Sequence, residues 1–119
     1  MLGAITVDAQ QRFLRFTFEQ GATIRDWVEA QGTFLRLSQE TGIRRALVDV
    51  RKQRVAGEIF ELFDFAEKIP SGAVFAVLGD ARSEDQKFVE TVALNRGKNV
   101  CLFFGPEEEA IEWLMKGAR

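Results

Sequence analysis

Five residues able to hold an anion follow two short apolar runs. Arg51, Lys52 and Arg54 leave Ala46-Leu47-Val48-Asp49-Val50, and Arg82 and Ser83 follow Ala73 to Leu78. In open α/β sheets, ligands collect in the crevice beyond the carboxyl ends of the strands. Helix N-termini at that edge offer N–H groups suited to an anion. Three Arg and one Lys with a hydroxyl beside them fit a phosphate or a carboxylate. Glu84, Asp85 and Glu107 to Glu109 stand near the same edge and oppose one. A solvated, charged edge is therefore the competing expectation.

Other chemistry is narrowed by the residue types that are missing. The chain has no His and no Tyr, so it lacks the commonest general base and metal ligand. Its one cysteine, Cys101, lies in an apolar run, where a small buried hydrophobe is expected. No imidazole exists to activate it. Asp49 resembles the acceptor aspartate of response regulators, but Asp8 and Lys98 do not stand where its partners would be needed. Asp49 is expected instead to accept hydrogen bonds at the end of its strand. No catalytic residue, cofactor or metal site is expected, and the chain reads as a non-enzyme.

Aromatic content is the second signal, with eleven Phe and two Trp in 119 residues. Ile59, Leu62, Phe63, Ala66 and Ile69 fall on one helical face, whereas Phe60 and Phe65 fall outside it. Either a wide face is buried, or Phe60, Phe63 and Phe65 form a patch that docks a partner or lines an apolar pocket.

These residues need elements to position them. Residues 3–8 and 12–19 read as a strand pair, the second showing the alternation Leu14, Phe16, Phe18 against Arg15, Thr17, Glu19. A helix follows from Thr23, whose spacing to Asp26 approximates a capping box, and Gly42 is placed to stop it. Residues 45–50 form an apolar strand covered on both faces. A second helix spans 56–69, then a strand 73–78. Ser83 opens a third helix that stops near Asn95-Arg96-Gly97. Val100 to Phe104 is the last strand, and Gly105-Pro106 followed by three glutamates starts the last helix. The order ββαβαβαβα implies an α/β domain with a five-stranded, mostly parallel sheet and helices on both faces. At 119 residues one domain, 1–119, is expected.

Composition limits the partners. A net charge of −2 gives no overall basic field, so nucleic acid is not expected. No apolar run approaches the ~20 residues of a membrane span, and no signal peptide is read at the N-terminus. A lone cysteine suits the cytoplasm. The exposed edge of the opening strand pair could accept a second copy, giving a homodimer.

The chain resembles the SpoIIAA-like (STAS-type) family, and more closely its bacterial subfamily grouped with CRAL-TRIO-like lipid-binding domains. The residues that carry the resemblance are Leu47-Val48-Asp49-Val50-Arg51 and Phe88 to Gly97. With them go Val100-Cys101-Leu102-Phe103-Phe104 and Glu109-Ala110-Ile111-Glu112-Trp113-Leu114. The resemblance implies a regulatory or ligand-binding module. In anti-sigma-factor antagonists of this fold a phosphorylatable Ser stands in an Asp-Ser-Ser-Gly run, and here that stretch is Arg54-Val55-Ala56-Gly57. No hydroxyl residue lies between Thr41 and Ser71, so a phosphorylation switch has no acceptor there. Two functions are expected to compete: an interaction module that binds a protein partner or small anionic ligand, and a carrier of an apolar small molecule or lipid. A cavity among the Phe residues and the facing strands favours the second.

Overall fold

The order of the strands in space is the order in the chain. A computed structural model describes residues 2–10, 12–53 and 57–116. Five strands, β1 (Gly3–Val7), β2 (Leu14–Phe18), β3 (Arg45–Asp49), β4 (Val74–Leu78) and β5 (Asn99–Phe103), form one sheet in the order β1-β2-β3-β4-β5. β1 pairs antiparallel to β2, and every later pair is parallel. Four helices, α1 (Ile24–Thr41), α2 (Ile59–Glu67), α3 (Glu84–Asn95) and α4 (Glu107–Met115), complete the expected α/β order.

Because each crossover steps the same way along the sheet, right-handed connections put α1, α2 and α3 on one face. The packing agrees. Alternate residues Phe16, Phe18, Ala46, Val50 and Val100 meet Trp27, Phe34, Leu62, Ala66 and Val89 in one cluster. The opposite face is thinner: Leu47, Ala76 and Leu78 pack with Ala110 and Leu114 of α4. α4 lies over β3 and β4. Beyond it, the same face of β1 and β2 shows Ala4, Thr6, Arg15 and Thr17, small or polar residues that tolerate water.

The helix boundaries follow local chemistry. Asp26 Oδ2 accepts the Thr23 N–H at 2.8 Å, while Oδ1 accepts the Leu2 N–H at 2.9 Å, so one carboxylate caps α1 and pins the start of β1. Gly42 ends α1 with φ 77°, its N–H donating to Ser38 O at 2.8 Å, and Gly97 takes φ 73° after α3. Both are left-handed positions that favour glycine. α2 starts later than the 56–69 expectation, at Ile59, because Glu58 and Glu61 form the capping box there. Pro106 is the N-cap of α4, one position before the first helical turn.

Candidate functional site

The carboxyl ends of β3 and β4 repeat one device. Asp49 Oδ1 accepts the backbone N–H of Arg51 at 3.1 Å and its Nε at 3.0 Å, and Oδ2 takes Nη2 at 2.8 Å. Asp80 does the same with Arg82, at 2.9, 3.1 and 3.1 Å. Each guanidinium is bound back onto the turn it leaves, so its fork is already occupied. Lys52 is exposed, with Glu19 at 4.0 Å. Arg54 lies outside the described residues. Ser83 does not face the edge. It is 2% exposed and caps α3, its hydroxyl accepting the Gln86 N–H at 3.2 Å. The four described residues therefore do not converge as one anion cradle: Arg51 and Arg82 are paired with aspartates and Ser83 is inside.

Arg15 and Glu107 extend this charged array; the sequence places Arg15 on the polar side of β2 and Glu107 among the carboxylates near the edge, but does not pair them. Arg15 donates a two-bonded fork to Glu107 in the first turn of α4, both bonds 2.9 Å, across 92 positions of chain. The Arg15 hydrogen bonds hold the Glu107 carboxyl below its ordinary range against burial. Burial alone would raise Asp49, but the Arg51 side chain and N–H, with the charges of Arg51 and Arg15, outweigh it and leave Asp49 lowered. A carboxyl with a depressed folded pKa contributes stability above its unfolded pKa, and loses it as pH falls through the folded value. From ordinary values of 4.5 and 3.8, melting temperature should fall as pH drops below 4.5 and then 3.8. Replacing Arg15 and Glu107 together by Gln should make that descent shallower. Thermal melts from pH 6 to pH 2.5 check it, and an unchanged slope would show that the bridge contributes nothing.

On the three-helix face, the carboxyl ends are closed by a buried polar network. Gln53 is 1% exposed and Gln86 4%. Trp27 Nε1 donates to Gln53 Oε1 at 2.7 Å, and Gln53 Nε2 donates to Ala22 O. Gln86 Nε2 donates to Val50 O at 2.9 Å and Gln53 O at 2.6 Å, while Gln86 Oε1 accepts the Asp80 N–H at 2.8 Å. Two amides thus join α1, the exit of β3, the exit of β4 and α3. Gly79 makes room for this: a Cβ there would stand 2.6 Å from Gln86 Oε1 and 2.5 Å from Leu102 Cδ1.

Beneath the network lies a cavity of about 100 Å³ between the helices and the sheet. α1 meets the sheet through its large side chains. Rings fill the interval: Phe34 packs on Phe75 at 4.9 Å and Phe16 at 6.3 Å, and Trp27 on Phe65 at 5.5 Å. The remaining lining is mostly aliphatic, including Val48, Val77, Val89 and Val100. Gln31, Gln86 and Glu90 are its polar members.

The three aromatic candidates separate. Phe65 lines the cavity. Phe60 points to solvent, 84% exposed. Phe63 lies on the outer side of α2 with the Arg96 guanidinium 5.5 Å above its ring. Helical periodicity put Phe63 inside and Phe65 outside. The actual inner stripe is Leu62, Phe65, Ala66 and Ile69, rotated toward α1 because Phe65 fills the space beside Trp27.

The sequence did carry a signal for the missed polar residues. Gln31 follows Trp27 by four positions, and Gln86 precedes Val89 by three, so each is an amide on an apolar face. Among the described residues no group of three or more His, Cys, Asp or Glu side chains could hold a metal ion. No described helix is long and apolar enough to cross a membrane. No family model, no curated protein and no solved structure matches the chain.

Proposed function

We propose that this chain is a non-enzymatic binding module whose ligand is a small apolar molecule held between α1 and the sheet. The observation that carries this reading is the cavity itself. Protein interiors pack like organic crystals and hold few voids larger than a water molecule. A space of about 100 Å³, partly open to solvent and walled by six aromatic side chains and branched aliphatic chains, is a concave apolar site of the kind small ligands occupy. Apolar cavities of ~150 Å³ stay dry and take benzene or xenon. The absence of His and Tyr from the sequence supports a binding role over catalysis. The resemblance to STAS-type domains supports a regulatory use, in which occupancy is reported to a partner protein. Arg51 and Arg82 at the strand exits are the residues such a partner would meet first, held in fixed poses by Asp49 and Asp80.

The test uses toluene as probe. Trp27 lines the cavity, whereas Trp113 packs against Phe103 on the other face. In a Trp113→Phe protein the fluorescence therefore reports the cavity alone. Toluene should shift that emission saturably, and Ala30→Leu, which fills the space with three carbons, should abolish the shift while leaving the far-ultraviolet circular dichroism unchanged. No saturable response from the parent would overturn the reading.

A further inference from the structure

Resting on the cavity as a ligand site, we infer that its ligand is a single-ring aromatic molecule carrying a hydroxyl or amine, and not a carboxylate or phosphate. The walls set the apolar part. Phe16, Phe34, Phe65, Phe75 and Trp27 present ring faces and edges to the space, and aromatic partners gain from offset or edge-on contact with such rings. The volume of about 100 Å³ sets the scale at one ring.

The polar part is set by what the three polar lining residues still offer. Gln86 is spent: both hydrogens of its Nε2 go to carbonyls and its Oε1 holds the Asp80 N–H. Glu90 uses one oxygen, Oε2, on the Leu102 N–H at 2.6 Å, and Oε1 retains its lone pairs. Gln31 lies half-buried at the margin of the inner stripe of α1, four positions from Trp27, and engages no described hydrogen-bond partner. No Lys or Arg is among the described residues that line the cavity. A ligand head therefore meets a carboxylate oxygen that accepts only and an amide that does either. A hydroxyl or an amine satisfies both. An anionic head would stand beside the half-buried Glu90 with no cation in the described lining to compensate, and two like charges at one site disfavour each other.

The charged arrays outside the cavity do not change this. Arg51 and Arg82 are bonded to Asp49 and Asp80, and Arg15 to Glu107 on the opposite face of the sheet. The selectivity is therefore a property of two residues, Gln31 and Glu90.

Isothermal titration calorimetry with toluene, p-cresol and benzoate tests it on the full chain. The expected order is p-cresol at least tenfold tighter than toluene, and benzoate at least tenfold weaker. Gln31→Leu should bring p-cresol to the level of toluene. Glu90→Gln keeps an acceptor for the Leu102 N–H and removes the charge, so benzoate should gain about tenfold. If toluene binds but p-cresol is no tighter, or benzoate binds as well, the proposed head-group selectivity is wrong and the apolar site stands. If none of the three binds, the site itself falls and the selectivity with it.

Discussion

Gln86→Leu is expected to cost about 3–5 kcal/mol of stability, from up to ~3 kcal/mol for each buried polar group left without its partner. The substitution preserves volume and removes only the amide. It strands the carbonyl of Gln53 and the N–H of Asp80, which Gln86 now satisfies, and takes one of two donors from the Val50 carbonyl, which keeps the Gln53 N–H at 3.1 Å. Nothing else on α3 can replace it, because Ser83 is committed to the helix cap and Val89 is apolar. For a chain of this length the loss corresponds to a fall in melting temperature of roughly 10–20 °C. Gln86→Glu should be about as damaging, since a carboxylate can still accept from Asp80 but faces two carbonyls with nothing to donate. Urea denaturation of both variants provides the measurement. A cost under about 1 kcal/mol would mean that water enters and replaces the amide.

This network also shows where sequence reasoning reaches and where it stops. The strands and helices were legible because burial imposes a period: β2 alternates Leu14, Phe16, Phe18 against Arg15, Thr17, and the structure keeps that alternation. Gly42 and Gly97 were legible because a left-handed residue after a helix is a local requirement. Asp49 was read as a strand-end acceptor, and its partner proved to be Arg51 two positions on, a contact of short sequence range. Arg15 and Glu107 were not legible as a pair, because 92 residues separate them and only the register of β2 against the start of α4 brings them together. Ser83 failed as an edge residue for a related reason. A helix cap and a ligand-binding hydroxyl look alike in sequence, and burial alone separates them.

The aromatic residues mark the same limit from another side. Periodicity locates a helix's inner face only to within a residue or two, because the neighbouring surface decides which large side chain enters. On α2 that neighbour is Trp27, and it draws Phe65 inward while Phe60 is left in solvent. The cavity depends on the same accommodation. Rings that meet at tilted angles across α1, α2 and the sheet hold the layers apart without filling the space between them.

Phe34→Ala should make that point quantitatively, with a loss of about 3–5 kcal/mol. Phe34 is 2% exposed and touches both Phe16 and Phe75, so no solvent-facing rotamer spares the contact. Two responses of the fold are then distinguishable. If α1 collapses onto the sheet, the cavity closes, the cost stays near the low end, and toluene has no effect on the variant. If the layers keep their separation, the cavity grows by the volume of a ring and the cost approaches the high end. The buried amides favour separation, because Trp27 is tied through Gln53 to Ala22 and to the exit of β3, and α1 cannot approach without breaking those bonds. Toluene at ten times its dissociation constant for the variant should then stabilise the variant by about 1.4 kcal/mol, and the parent by less at the same concentration. Thermal melts with and without toluene decide between the two. A variant that loses stability and shows no rescue would mean that the spacing of α1 is set by Phe34 itself and not by the polar network above it.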